Sequence, residues 1–362
     1  MSTPLSRRYR WDRRRLGEGA PAGPRGRSGG RFALAVFVRV LITGAAYAAA
    51  AEAGLQLAAP HGHIFSLWLP IGVAVVALLL FGPWTAPGIA LAAFAVNLPL
   101  GPSVPAVALI AAGNTLAPLC AYLLLRRSAF HLELDRLRDA VALIFLAAFG
   151  GMLVSATVGS TALLVGGATT PGEYWQSWSA WWIGDAMGVL VGVPFLLVLW
   201  KPRLRAVGTA RWLELAMVFA VTAGVATAVT SAPYALLFLM FPPLIWAALR
   251  FGHTGAAPCV VIVAMAATVA AANGYGPFTF YGPLGRLFIL QAFNCATAVT
   301  ALLLAAMVSE RDNARQEIDR VAADLTRMTD DLEHGQRNLK GMVLDLVRAQ
   351  RPPGERDRRP PA

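Results

Sequence analysis

Charged residues are scarce in this sequence. Only 14% of its 362 residues are Asp, Glu, Lys or Arg, whereas 57% are hydrophobic, and a soluble domain normally contains about 25% charged residues. This scarcity excludes an ordinary soluble protein. Apolar runs of roughly 17 to 25 residues, the length with which a helix crosses a hydrocarbon core, recur between residues 32 and 308. The sequence therefore predicts an all-α, polytopic transmembrane helix bundle.

Charges and Gly/Pro clusters separate the apolar runs into about 8 to 10 spans. The candidates lie near 32–59, 67–82, 84–100, 104–125, 140–165, 179–200, 212–230, 234–249, 254–272 and 287–308. Pro87, Gly88 and Pro99 interrupt the third of these, so that a re-entrant hairpin is an alternative there.

Cysteine and histidine are also rare, with three and five residues. The cysteines, at positions 120, 259 and 295, are far apart inside predicted spans and form no C-x-x-C pair, which excludes a disulfide framework and gives no metal or redox signal. His61 and His63 lie together, but two histidines without a third ligand make a weak metal site. No nucleophile can be paired with a base either. We therefore predict no metal, no cofactor and no enzymatic activity.

Positive charge is distributed unevenly along the chain. Residues 1–31 contain nine arginines and two acidic residues, whereas residues 309–362 contain eleven basic and eleven acidic residues. Between the spans, basic residues concentrate in alternate loops, at 126–138, 201–211 and 250, as they do in cytoplasmic loops. This pattern predicts that both termini are cytoplasmic and that residues 1–31 are a disordered tail able to touch anionic lipid. No recognisable nucleic-acid-binding fold follows the arginines, so we expect no nucleic-acid partner.

Two carboxylates lie inside the predicted spans. Glu52 and Asp185 each fall about 10 Å from the outer end of a span, and intramembrane carboxylates are costly and usually functional. Other polar and aromatic side chains are predicted at the same level, which indicates an outward-opening polar pocket. The candidate ligand-binding residues are Glu52, Trp68, Pro70, Asn97, Trp182, Asp185, Arg286, Gln291 and Asn294.

Structural roles are the alternatives for several of these residues. Asp185 would then pair with Arg286 or cap a helix bend, and Asn294 would form interhelical hydrogen bonds. Small residues spaced by four typically allow close helix packing, and here they are Gly184, Gly188 and Gly192.

Five stretches of the chain carry a resemblance to a known family. They are LWLPIGVAVVALLLFGPWTAPGIALAAFAVNL at 67–98, SWSAWWIGDAMGVLVGVPFLLVL at 177–199, FPPLIWAALRFGHTGAAPCVVIVA at 241–264, NGYGPF at 273–278 and SERDNARQE at 309–317. In this order they resemble the motifs of the bacterial membrane-associated sensor domain family of the first type, the MASE family. The resemblance spans about residues 32–312.

That resemblance implies an integral sensory domain of the bacterial inner membrane, normally fused to a cytoplasmic output module such as a histidine kinase, a diguanylate cyclase or a phosphodiesterase. It implies no particular ligand. Leu69 departs from the family, in which a second proline is common. The residues at the motif positions are Trp68, Pro70, Gly72, Gly184, Asp185, Gly188, Arg250, Gly252, Gly276, Pro277 and Phe278.

The segment after residue 308 has only 54 residues, too few for a catalytic output domain of ordinary size. Apolar residues recur there at alternating spacings of three and four, as in a coiled-coil seam, although Gly335 interrupts them. We predict a cytoplasmic coiled-coil helix over 309–348 and a disordered tail over 349–362; an amphipathic helix lying on lipid is the alternative. The seam residues are Ile318, Val321, Leu325, Met328, Leu332 and Leu339.

These observations together predict a sensory module in the bacterial inner membrane, with its membrane domain at residues 32–308. It would detect an extracytoplasmic or membrane signal, form a homodimer through the C-terminal helix, and relay the signal to a separate cytoplasmic signalling protein. A small-solute transporter or permease subunit is the alternative function, because broken spans and an intramembrane carboxylate also occur in ion-coupled carriers.

Overall fold

The structure is a computed structural model that describes residues 28–57, 67–200, 209–232, 234 and 236–349. Within these ranges the chain is helical and contains no β-strand. A π-helical stretch, Leu143–Gly151, joins α5 to α6. The α-helices are α1 (Ser28–Leu57), α2 (Leu69–Phe81), α3 (Ala86–Asn97), α4 (Val104–Arg127), α5 (Leu137–Ala142), α6 (Leu153–Val165), α7 (Tyr174–Trp200), α8 (Thr209–Ser231), α9 (Phe241–Phe251), α10 (His253–Asn273) and α11 (Pro283–Ala349).

Some sequence predictions lie outside the described residues. These are most of the predicted N-terminal tail, nearly all of the predicted C-terminal tail, and the pair His61 and His63. Because α1 begins at Ser28, the last four residues of the predicted N-terminal tail are helical instead. The chain divides into two compact units, Met1–Glu310 and Arg311–Ala362.

Seven helices in the described ranges are long and apolar enough to cross a membrane. The predicted count of about 8 to 10 spans is therefore not confirmed. The three remaining predicted spans, 67–82, 84–100 and 234–249, correspond to α2, α3 and α9, which have 13, 12 and 11 residues. The seven long segments are Phe32–Gln56, Val104–Arg127, Leu137–Val165, Pro171–Trp200, Thr209–Ser231, His253–Asn273 and Gly285–Leu346.

Proline and glycine residues at the helix ends explain why these helices are short. Gly82 ends α2 with a positive φ of 89°, and the next residue, Pro83, opens a tight turn before α3. Two prolines occupy the first turn of α9, where their missing N–H groups cost no helical hydrogen bond. A 13-residue helix is only about 20 Å long, shorter than the roughly 30 Å hydrocarbon core.

Helix α2 packs directly against the backbone of α7. A Cβ atom on Gly188 would collide with the carbonyl oxygen of Trp68, and one on Gly72 would collide with the carbonyl oxygen of Gly188. The Trp68 N–H donates to the Gly184 carbonyl oxygen at 3.1 Å. The glycines therefore allow two helices to approach until their main chains touch, as small residues do at membrane helix interfaces.

Helix α7 is the most enclosed of the long apolar segments. It packs against α2, α6, α10 and the π-helical stretch. Near their first residues, α7 and α11 face each other across a cavity, and further along Leu190 of α7 lies close to Ala298 of α11. The two helices therefore run in the same direction.

The remaining motif residues shape turns between helices. Arg250, at the end of α9, donates two hydrogen bonds to Glu214 of α8, at 2.5 and 2.9 Å. Gly252 and Gly276 have positive φ values of 58° and 56°, which residues with a Cβ rarely adopt. Phe278 follows in the same loop as Pro277 and is fully buried. These motif residues therefore close the connections around α9 and α10.

We predict that Gly188→Ala destabilises the protein, because the new Cβ atom meets the Trp68 carbonyl oxygen. Such overpacking typically costs about 1–3 kcal/mol. The matched control is Gly224→Ala in α8, where a Cβ would meet no atom within 4 Å. The measurement is the midpoint of unfolding in an SDS titration of purified protein in mixed micelles. Equal midpoints for the two variants would contradict the α2–α7 contact.

Candidate functional site

Asp185 is buried in the middle of α7, with 1% of its surface exposed. It lies eleven residues after Tyr174, about 16 Å along the helix. The predicted span began at residue 179, so the structure places Asp185 deeper in its helix than the sequence did. The difference arises because the polar and aromatic segment before residue 179 continues the helix in the N-terminal direction.

Ser155 of α6 is the hydrogen-bond partner of Asp185. Its Oγ lies 2.5 Å from Asp185 Oδ2 and 3.0 Å from the carbonyl oxygen of Met152. A hydroxyl group has one proton and donates to one acceptor at a time. The Ser155 proton is therefore shared between Asp185 Oδ2 and the Met152 carbonyl oxygen, and the bond to Asp185 links α6 to α7.

Further polar side chains from other helices surround this pair. The Tyr47 hydroxyl from α1 lies near the Asp185 carboxyl group and near the side chains of Trp68 and Asn114. Trp181, one turn before Asp185, lies beside the carboxyl group and packs on Gly159 of α6. Asp185 is thus the centre of a buried polar cluster contributed by α1, α2, α4, α6 and α7.

A separate cavity of about 650 Å³ lies between the first halves of α7 and α11. Its wall on α7 includes Gln176, Ile183 and Met187, which share one helix face because they are separated by seven and four residues. Asp185 is two residues from Ile183 and Met187, which turns it about 200° away at 100° per residue. The structure therefore places Asp185 behind the cavity wall. The sequence had predicted a common pocket that includes Asp185, and this prediction was wrong.

The candidate ligand-binding residues are accordingly divided. Trp68 lies in the Asp185 cluster, with Pro70 buried two residues later at the start of α2. Trp182 and Gln291 line the cavity. Asn294 is fully buried one turn after Gln291 on α11, and its amide atoms make no hydrogen bond within the described structure.

The other three candidate residues lie neither in the Asp185 cluster nor in the cavity wall. The exposed Glu52 accepts a hydrogen bond from Gln56 of its own helix. Asn97 donates to the Ala93 carbonyl oxygen, and Arg286 donates to the Tyr281 carbonyl oxygen. The alternative pairing of Asp185 with Arg286 does not occur, because the guanidinium group lies against the Gly274 turn.

The cavity narrows in the direction in which α7 and α11 run. A second cavity, of only about 10 Å³, lies further along, where Leu190 and Pro194 of α7 and the start of α10 meet Ala298 and Leu302 of α11. We call the space between α7 and α11 the wedge, because its cavity is wide at the start of both helices and narrow at the other end.

Aromatic rings connect the wedge to α6 and the π-helical stretch. The ring centroids of Trp178 and Trp182 are 5.6 Å apart and stacked, and Trp182 lies 5.6 Å from Phe149. Trp182 Nε1 donates to the Phe149 carbonyl oxygen at 2.9 Å, and Trp178 Nε1 donates to Thr157 Oγ1 at 3.1 Å. No sequence pattern pointed to Phe149, which lies in the middle of an apolar run. Its π-helical backbone, a form often found at functional sites, places it at the cavity wall.

No metal site is formed in the part of the chain that the structure describes, since no three His, Cys, Asp or Glu side chains are grouped to hold an ion. Buried polar groups and seven long apolar helices in the described ranges define a multi-pass α-helical membrane protein.

Comparison with protein families identifies its class more closely. Residues 38–312 match the MASE1 family, which covers most of the chain, so the chain belongs to this family of membrane-associated sensory domains. The family assignment made from the sequence motifs is thereby confirmed. Comparisons with curated proteins and with solved structures gave no match.

We predict that Ser155→Ala destabilises the protein, because it leaves the buried Asp185 carboxyl group without its hydrogen-bond partner. The expected cost is about 1–3 kcal/mol. Ser160→Ala is the matched control on the same helix, since the fully buried Ser160 hydroxyl makes no hydrogen bond within the described structure. Unfolding midpoints in mixed micelles compare the two variants, and equal losses would argue against a role for the Ser155–Asp185 bond.

Proposed function

We propose that this protein is a sensory module of the bacterial inner membrane that relays a signal through α11 to a separate cytoplasmic protein. One observation carries the proposal. The cavity is walled on one side by α11, and the same helix continues without a break from Pro283 to Ala349. A molecule that enters the cavity therefore acts directly on the helix that leaves the membrane domain.

The proposed mechanism is a change in the angle between α7 and α11. The closed end of the wedge, between Leu190 and Ala298, serves as the pivot. Helix α7 is held by its backbone contact with α2 and by its aromatic contacts with Phe149, so α11 is the helix that moves. A signal shifts the equilibrium between two arrangements of α7 and α11 only if it binds one of them more tightly than the other. A cavity that is open in one arrangement and closed in the other meets this condition.

The proposed orientation follows from the basic residues. The exit of α11 lies beside the start of α5, because Glu310 Oε2 accepts a hydrogen bond from the Leu137 N–H at 3.0 Å. Arg126 and Arg127 end α4, and Arg136 directly precedes α5; such basic residues are common on the cytoplasmic side. We therefore place the exit of α11 in the cytoplasm and the wide end of the wedge on the outer side.

The partner of the C-terminal segment is proposed to be a second copy of this chain. Six apolar side chains recur there at coiled-coil spacing, and between 51% and 70% of their surface is exposed in the single chain. Burial of such a seam stabilises a parallel dimer, and a signalling protein would bind this dimer. The exposed seam side chains are those of Ile318, Val321, Leu325, Met328, Leu332 and Leu339.

The taper of the wedge favours a sensor over the transporter alternative. A carrier needs a route to both sides of the membrane, with its substrate site near the middle of the bilayer. Beyond Leu190 the space between α7 and α11 nearly disappears, and Asp185 lies on the other face of α7. The carboxylate is therefore assigned a structural role in the buried polar cluster.

We predict that filling the wedge changes the C-terminal dimer. The experiment measures disulfide crosslinking in native membranes at Leu325→Cys, on the seam, and at Ala323→Cys, on the opposite helix face, after replacement of the three native cysteines. Crosslinking should be severalfold more efficient at 325 than at 323. Ala180→Trp, which fills the cavity, should change the efficiency at 325.

The matched control is Met217→Trp, at an exposed position of α8. It should leave crosslinking unchanged. Equal crosslinking at 325 and 323 would contradict the dimer, and crosslinking at 325 that Ala180→Trp leaves unchanged would contradict the relay.

A further inference from the structure

The cavity between α7 and α11 has an unusual balance of charge. Among its described lining residues Glu173 is the only charged side chain, and the polar neighbours are uncharged. Arg286 is the nearest basic residue along α11, but it donates to the Tyr281 carbonyl oxygen and lies against the Gly274 turn. The cavity therefore carries a negative charge without a neighbouring basic group in its wall.

Glu173 is held in place at the wide end of the wedge. It belongs to the turn Pro171–Glu173 before α7, and its Oε2 accepts hydrogen bonds from the Thr170 N–H at 3.2 Å and from Thr170 Oγ1 at 2.8 Å. Both of these bonds use the same oxygen, so that Oε1 can face a ligand. A carboxylate fixed in this way loses little conformational freedom on binding.

Aromatic and apolar side chains form the deeper wall. Trp182 and Phe149 line the cavity together with Met187 and Leu287. The faces of aromatic rings attract cations, most strongly where water is excluded. The volume of about 650 Å³ lies within the range of roughly 300–1,000 Å³ typical of pockets for drug-sized ligands.

We infer that this cavity binds an organic cation with an apolar or aromatic body. Its charged group lies toward Glu173 at the wide end of the wedge, and its body contacts Trp182 and Phe149 deeper in the cavity. An anion of the same shape is disfavoured, since it would bring a second negative charge next to the Glu173 carboxylate. This inference rests on the proposed function, because it names the class of signal that the wedge takes.

The test uses two ions of nearly equal size and shape, tetraphenylphosphonium and tetraphenylborate. Their binding to the purified full-length chain in nanodiscs is measured by equilibrium dialysis, with empty nanodiscs correcting for partition into lipid. Tetraphenylphosphonium should bind saturably and tetraphenylborate should not. Equal binding of the two ions, or binding of neither, would overturn the inference.

Two variants show whether the ion occupies this cavity. Glu173→Gln keeps an oxygen that can accept from Thr170 and removes the charge, so that tetraphenylphosphonium should bind roughly tenfold more weakly, which corresponds to about 1.4 kcal/mol. Glu52→Gln is the matched control, since Glu52 is an exposed carboxylate on α1 outside the cavity. Trp182→Leu should also weaken binding. Unchanged affinity in Glu173→Gln would overturn the inference.

The outcomes separate this inference from the proposed function. If Ala180→Trp changes crosslinking on α11 but the phosphonium ion does not bind, the relay stands and the ligand class is wrong. If the phosphonium ion binds in the cavity but crosslinking does not respond to Ala180→Trp, the ligand class stands and the relay is wrong.

Discussion

The contact between the backbones of α2 and α7 is the constraint on which the rest of the membrane domain depends. Glycines at 72 and 188 allow the two main chains to touch, and the Trp68 N–H donates to the Gly184 carbonyl oxygen. Side chains at these positions would push the helices apart. Because this contact holds one face of α7, the opposite face is available to form the wall of a cavity with α11, and the proposed movement lies at that second interface.

Asp185 and Glu173 have different environments and therefore different proposed roles. Asp185 is enclosed by α2 and α6 and shares a hydrogen bond with Ser155, so it stabilises the arrangement of the helices around it. Glu173 lies at the wide end of the wedge, where its hydrogen bonds come from Thr170 alone. In the proposed account Asp185, which stands out in the sequence, is structural, and Glu173, which lies in a short turn, contacts the ligand.

Sequence patterns predicted the helical class, the position of most helices, the close packing at Gly188 and the family. They did not predict the shape of the site, for physical reasons. The predicted span begins at residue 179, where polarity falls. In the structure the helix also includes Trp175 and Gln176, so Asp185 lies deeper in the helix than predicted. Helical periodicity places Ile183 and Asp185 on opposite faces, but which face meets α11 depends on the α2–α7 contact. The position of Phe149 at the cavity wall depends on the π-helical backbone. The apolar residues around Phe149 do not indicate that backbone, so the position could not be predicted from the sequence.

The most direct test of the account measures two distances between spin labels by double electron–electron resonance. One pair, at positions 175 and 288, spans the wide end of the wedge, and the other, at 199 and 307, lies beyond the pivot; all four native side chains are exposed. If α11 turns about its contact with α7, Ala180→Trp should lengthen the first distance and shorten the second. A change at the wide end with no change beyond the pivot would show that α11 bends locally and would contradict the proposed relay.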